Sequence, residues 1–150
     1  MIIPVKCDDE NNYGLELEYS KLFENRSKLF LNSSYNIFEY KNSYYNFDIN
    51  TPVVSKLTTT LGFIYPLSSK FTISPLLRYY GDKNLLNGTE IGDVLLTDLT
   101  LSYRFSKESK LSFGAKNLFD QNYYYYGNKT KDEKMLREGR TWFTSFSHDF

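Results

Sequence analysis

A chain of 150 residues has the length of one domain, and its 18 Lys plus Arg balance 18 Asp plus Glu to a formal charge of zero, which removes the basic footprint expected of a nucleic-acid binder. The single cysteine, Cys7, excludes a disulfide scaffold or a cysteine-rich metal site within the chain. With a mean hydropathy of −0.50, no segment approaches the roughly 20 apolar residues of a transmembrane helix, although 14 Tyr and 12 Phe make the chain strongly aromatic.

Met1 to Glu10 has neither the basic leader nor the apolar run of a signal peptide. Residues 1–12 are left unassigned, with Cys7 read as an inert thiol. From residue 13 the pattern changes to period two. Tyr13, Leu15, Leu17 and Tyr19 alternate with Gly14, Glu16, Glu18 and Ser20. Side chains of a strand point to opposite faces in turn, so this is a two-faced strand over 13–23 with one wet face. Glu24 to Ser27 suits a tight turn.

A second strand is expected over 28–38, where Leu29, Leu31, Tyr35 and Ile37 oppose Asn32, Ser34 and Asn36. Residues 39–52 read as a long loop. A third run, 53–67, sets Leu57, Thr59, Leu61, Phe63 and Tyr65 against Lys56, Thr58, Thr60 and Gly62. After a short turn at 66–70, the fourth run, 71–80, sets Phe71, Ile73, Leu77 and Tyr79 against Thr72, Ser74, Arg78 and Tyr80. Pro75 deletes a ladder donor inside it, and a bulge is expected there.

Gly81 to Asp93 is the second long loop, with Asn87-Gly88 as a turn signal. Leu95 to Phe105 is the cleanest alternation, opposing Leu95, Thr97, Leu99, Leu101, Tyr103 and Phe105 to Leu96, Asp98, Thr100, Ser102 and Arg104. Ser106 to Ser109 turns the chain into Leu111, Phe113 and Ala115, which oppose Ser112, Gly114 and Lys116. A third long loop follows at 121–138. The last run puts Trp142, Thr144, Phe146, His148 and Phe150 on one face and Thr141, Phe143, Ser145, Ser147 and Asp149 on the other.

Seven strands of about ten residues therefore alternate with short and long connections that stay in phase. An apolar strand face left open to water invites pairing between chains. In a bilayer the same face meets lipid. The expected fold is all-β, an antiparallel transmembrane β-barrel segment. Its connections at 39–52, 81–93 and 121–138 would be external, and its turns at 24–27, 66–70 and 106–109 periplasmic. A helical period appears only over Lys129 to Arg137, inside a loop.

Three stretches resemble the C-terminal part of TonB-dependent outer-membrane receptors. Gly14-Leu15-Glu16-Leu17-Glu18-Tyr19 is similar to the family's Gly-x-Glu-Leu-Glu strand. Asn117-Leu118-Phe119-Asp120-Gln121-Asn122-Tyr123-Tyr124 is similar to its Asn-Leu-Phe-Asp-x-x-Tyr block. Gly139-Arg140-Thr141-Trp142 through Phe150 is similar to its Gly-Arg-Thr ending on an aromatic. The resemblance covers 13–150 as one segment and implies the final seven strands of a 22-stranded barrel whose lumen is plugged. It implies a cell outer-membrane location in a Gram-negative bacterium and uptake of a ferric siderophore, haem or similar iron complex. The implied partners are outer-membrane lipid, the barrel-assembly machinery, a plug domain and the TonB complex. Trp142, Phe146 and Phe150 would form the C-terminal assembly strand. No plug or TonB-contacting segment is recognisable, so the expectation is a fragment, inactive in transport on its own and not an enzyme. No cofactor or metal site is expected.

Candidate ligand-contacting residues are Tyr123, Tyr124, Tyr125 and Tyr126, whose faces suit planar ligands, and Arg137 and Arg140, which suit an anionic complex. An interfacial aromatic belt accounts for part of the tyrosine run equally well. Glu16, Glu18, Lys56, Arg78, Asp98, Arg104 and Lys116 share the polar face and read as lumen charges paired with each other or with a plug. His148, the only histidine, falls on the apolar face, where it suits neither a catalytic triad nor a haem ligand. Two other readings stay open: an autonomous small barrel, porin-like, and a soluble β-sheet binding module.

Overall fold

The alternation makes strands because each of these runs has one face of Leu, Tyr and Phe and one of Thr, Ser and charge, which only an extended chain can separate. In the computed structural model, residues 10–42, 47–49, 55–81, 92–128 and 133–149 are described. They form β1 (Glu10–Leu22), β2 (Lys28–Asn42), β3 (Phe47–Ile49), β4 (Leu57–Pro66), β5 (Phe71–Gly81), β6 (Val94–Arg104), β7 (Ser109–Lys116), β8 (Tyr124–Asn128), β9 (Glu133–Leu136) and β10 (Thr141–His148). One antiparallel sheet runs β1-β2-β4-β5-β6-β7-β10, with β3 against the end of β2. The fold is all-β, and no helix occurs among the described residues.

The register joins like to like across the sheet. Tyr19, Leu31, Leu61 and Leu77 stand opposite one another in turn, as do Glu18, Asn32, Thr60 and Arg78. Hydroxyls bridge neighbouring strands as well: Ser34 to Thr58 at 2.7 Å, Ser33 to Thr59 at 2.8 Å and Ser102 to Ser112 at 2.8 Å. Serine hydroxyls close two of the short turns. Ser68 Oγ accepts from the Lys70 and Phe71 amides, and Ser106 Oγ from those of Glu108 and Ser109. On the polar face two glycines make room for rings from the next strand: Phe30 lies over Gly62, and Phe143 lies over Gly114.

Three expectations are corrected. Pro75 makes no bulge. Its pairing with Leu99 is regular, while the ladder to β4 lapses between Gly62↔Leu76 and Tyr65↔Ile73 and resumes in the same register. The missing N–H is absorbed as a gap on one side only. Residues 39–52 are not simply loop: β2 continues to Asn42, and β3 folds back with Tyr40↔Ile49 and Asn42↔Phe47. The connection 121–138 holds its own hairpin, β8 with β9, which carries an irregularity between Tyr126 and Asn128. Both pairings are too short for an apolar alternation to develop. The Asn87-Gly88 turn and Phe150 lie outside the described residues.

The side chains divide as lipid and lumen would require. The only buried apolar residues among those described are Val94, Leu96 and Ala115. Val94 and Leu96 lie on the polar face with Tyr80 and Arg78, whereas on the apolar face Leu15 is 75% exposed, Leu17 55% and Phe146 62%. The accessible surface is 11379 Å² for 17.7 kDa, against about 7900 Å² for a compact soluble monomer of that mass. Part of this surface is a continuous apolar face of the sheet that no part of the described chain covers. At its short-turn end an aromatic row crosses the strands, with ring centroids 4.8 Å apart for Phe71–Tyr103, 5.9 Å for Tyr103–Phe105 and 6.0 Å for Phe105–Phe146.

Candidate functional site

All long connections lie at one end of the sheet, and the candidate site is built where β6, β7 and β10 meet there. Asn117 and Asp120 adopt φ of 50° and 54°, a left-handed conformation that Asn and Asp tolerate better than other side chains. The chain leaves β7 in a tight corner. The Asp120 amide donates to the Asn117 carbonyl at 2.9 Å. The Asn117 side chain brackets Gln121, donating through Nδ2 to its carbonyl and accepting from its amide, each at 2.9 Å. Asn117 is 3% exposed, so both polar ends of its buried side chain are satisfied by the Gln121 backbone.

This corner is tied to three neighbours. The Leu118 amide donates to the Thr97 carbonyl of β6 at 2.7 Å. The Asn117 amide donates to Asp98 Oδ1 at 2.9 Å, and the same oxygen accepts from Arg78 Nη2 of β5 at 2.9 Å. On the other side the Arg140 amide donates to Asp120 Oδ1 at 2.6 Å, with Arg140 Nη1 3.4 Å from the Leu118 carbonyl. A Cβ on Gly139 would run into Asp120 Oδ1, so a glycine there lets the strand approach the carboxylate. Asn117, Leu118, Asp120, Gly139 and Arg140, read separately from two stretches of sequence, thus form one corner. Phe119 is 67% exposed at its tip.

The corner carries the β8–β9 hairpin. The Arg137 amide donates to the Tyr123 carbonyl at 2.9 Å and closes its base. Tyr123 is half-buried and Tyr124 is 40% exposed. Tyr125 and Tyr126 lie in β8, with side chains outside those described. Arg137 and Arg140 are both exposed beyond the sheet, and the Arg140 guanidinium sits 5.7 Å from the centre of the Trp142 ring. Trp142 in turn stacks on Phe113 at 5.5 Å. Arg140 is therefore engaged on both sides, through its amide with the corner and through its head with the apolar face.

On the polar face Arg78 and Asp98 pair, while Glu16 and Glu18 line a groove of about 380 Å³ with Asn32, Ser34, Thr58 and Thr60. His148 Nδ1 lies 2.8 Å from Ser109 Oγ, directly opposite it in the β7–β10 ladder. The feature that sequence reasoning missed is Asp98 as the junction of three strands. Its presence on the polar face was legible, but its bond to an amide nineteen residues away was not.

The TonB dependent receptor-like β-barrel family matches residues 3–118. No curated protein matches the chain in sequence. Among solved structures, the chain is similar to the copper transporter OprC, with TM-score 0.73 and 21% identity over 94% of this chain and 24% of that one. It is similar to the ferric-catecholate import receptor Fiu from Escherichia coli K12 (TM-score 0.70, 18% identity, 93% and 21% of the two chains). It is also similar to a mutant of the ferric enterobactin receptor PfeA from Pseudomonas aeruginosa (TM-score 0.67, 20% identity, 91% and 22%). The chain spans about a quarter of the length of these proteins.

Proposed function

This chain belongs to the TonB-dependent receptor β-barrel family, and from that premise we propose that it supplies seven strands of an outer-membrane receptor that takes up a ferric siderophore or other iron complex. The observation that carries the reading is the polarity of the sheet. One face is apolar and belted by rings at the short-turn end, the other is lined by hydroxyls and charges, and the long connections gather at the far end. That is the division a Gram-negative outer-membrane barrel needs: lipid outside, an aqueous lumen inside and ligand-capturing loops above. The two edge strands, β1 and β10, are where the remaining strands of a 22-stranded barrel would pair.

In this reading Tyr123 to Tyr126, Arg137 and Arg140 sit beside the external mouth. Aromatic faces there would contact a planar siderophore or haem, and the two arginines would attract an anionic complex. Trp142 and Phe146 of β10, in the run that the sequence extends to Phe150, would be engaged by the barrel-assembly machinery. A plug inside the lumen, moved through the TonB complex, would release the ligand inward. The described strands have the residues of a barrel wall, so the role is receptor and conduit rather than enzyme, and residues 13–150 alone would not transport.

The test is uptake of radiolabelled iron, offered as ferric siderophores, by source cells with and without the gene, in the presence and absence of TonB. Loss of uptake of one complex in the deletion strain, restored by the complete gene but not by the 150-residue chain, is the expected outcome. Unchanged iron uptake with altered copper accumulation would overturn the iron assignment. TonB-independent uptake by the 150-residue chain itself would overturn the receptor reading.

A further inference from the structure

At the short-turn end of the polar face three cations stand in one row across the strands. Lys70 precedes β5, and the Arg104 amide donates to its carbonyl at 2.8 Å. Arg104 in turn stands directly opposite Lys110 in the β6–β7 ladder. Arg26, in the β1–β2 turn, joins them in lining a groove of about 420 Å³. All four are exposed. None makes an ion pair among the described residues, whereas Arg78 on the same face is paired with Asp98 at 2.9 Å. Like charges directly opposite one another weaken a sheet, so this row works against the strands that carry it. A local conflict without a compensating contact is characteristic of functional sites. One step further in lies a row of hydroxyls: Thr72 is opposite Ser102, Ser102 opposite Ser112 and Ser112 opposite Ser145.

We propose that this groove is an exit-side subsite for the anionic iron complex, an inference that rests on the uptake reading above. Three observations select a small chelate rich in charged oxygens as its occupant. The groove's volume falls within the about 300–1,000 Å³ of small-molecule sites, and the row from Lys70 to Lys110 covers two interstrand steps, about 10 Å. The donors suit an iron centre wrapped in catecholate or carboxylate oxygens. Ammonium and guanidinium groups meet the charged oxygens, Thr72 can donate to another, and the Ser102–Ser112 pair at 2.8 Å keeps one O–H to spare. The groove also faces the lumen and not the lipid, because Tyr103 and Leu111, one residue along, point to the apolar face. Cations at this end draw an anion across the lumen from the long connections. Their exposure lets water compete, so the complex is held weakly enough to leave.

The probe is radiolabelled iron in the ferric siderophore whose uptake the gene deletion abolishes, given to cells making the complete protein. Lysine reactivity is read during transport by brief acetylation and mass spectrometry, with Lys107 in the neighbouring turn as reference. Lys70 and Lys110 are expected to be protected by the siderophore in the presence of TonB and not in its absence. K70Q/R104Q/K110Q is expected to keep its affinity for the siderophore at the cell surface and to lose about tenfold in maximal uptake rate. K70R/K110R, which keeps the charge, is expected to avoid most of that loss. No protection, or reactivity that rises during transport as a covering polypeptide moves away, would overturn the subsite. So would an unchanged maximal rate in a heat-modifiable triple variant, or equal protection by inorganic phosphate with no siderophore present. Should the triple variant fail to fold, the protection measured on the unsubstituted protein decides. If the uptake of no ferric siderophore depends on the gene, the uptake reading itself falls, and the subsite with it.

Discussion

Asp98 should be the costliest single polar residue to remove from this sheet. One of its oxygens accepts from both Arg78 Nη2 and the Asn117 amide, each at 2.9 Å. Asp98→Ala leaves a guanidinium without its carboxylate and a buried amide without an acceptor. Breaking a fully buried ion pair from one side costs about 3–5 kcal/mol, and an orphaned buried donor about 1–3 kcal/mol. The Arg78 side chain is 27% exposed and that of Asp98 14%, so water recovers part of the first cost, and a total of about 3 kcal/mol is expected. Asp98→Asn keeps an oxygen for the Asn117 amide and loses only the charge, for about 1–2 kcal/mol. Arg78 Nε is already buried without a partner among the described residues, so Arg78→Met in the Asp98→Ala background should return part of the loss. The assay is the urea midpoint of the heat-modifiable folded form of the complete protein in vesicles, with the unsubstituted protein, Arg78→Met, Asp98→Ala and the double variant run as a double-mutant cycle and Asp98→Asn beside them. Equal effects of Asn and Ala at position 98, or no coupling between positions 78 and 98, would refute the argument that one oxygen serves both partners.

Three further outcomes follow from named contacts. Leu61→Arg puts a charge on the apolar face at mid-strand and should cost about 2–4 kcal/mol or prevent insertion, whereas Thr60→Arg, one residue away on the polar face, should insert normally; fractionation and heat-modifiability of the two variants distinguish them. Gly139→Ala forces its new methyl into Asp120 Oδ1 and should cost about 1–3 kcal/mol by breaking the Arg140–Asp120 bond, seen as faster proteolysis within 121–138 while the rest of the barrel resists. Phe146→Ala removes the ring stacked on Phe105 and should slow the appearance of the folded band in a pulse-chase without abolishing it.

The strands were legible in the sequence because a lipid-facing strand alternates along most of its length, as Asp98 to Phe105 does without a break. The short turns were legible for a similar local reason, since Ser68 and Ser106 each close their own turn within three residues. What alternation cannot report is a pairing shorter than its period needs, hence the β8–β9 hairpin and β3 were missed. The corner was half visible. Asn117 and Asp120 stand in a stretch marked by its resemblance to the family, but their partners, Asp98 and Arg140, lie nineteen and twenty residues away, and only the register of β6, β7 and β10 brings them together. Pro75 misled for the opposite reason. A missing donor is local, but whether it distorts the sheet depends on which neighbour it faces.

The corner also explains how a long connection can leave the end of the sheet and still be firmly attached to it. Hydrocarbon does not tolerate unpaired backbone groups, so a wall strand must keep its register up to the membrane surface, and the chain must leave it abruptly for a connection of many residues. Asn117 stops β7 by satisfying the corner from its own side chain, Asp98 fastens that stop to β6 and β5, and Asp120 with Gly139 fixes where β10 re-enters. Everything between Gln121 and Glu138 then hangs from two pinned points, closed by the Tyr123–Arg137 bond. Residues inside that span can change at little cost to the wall. The pinning residues cannot, because each serves two strands.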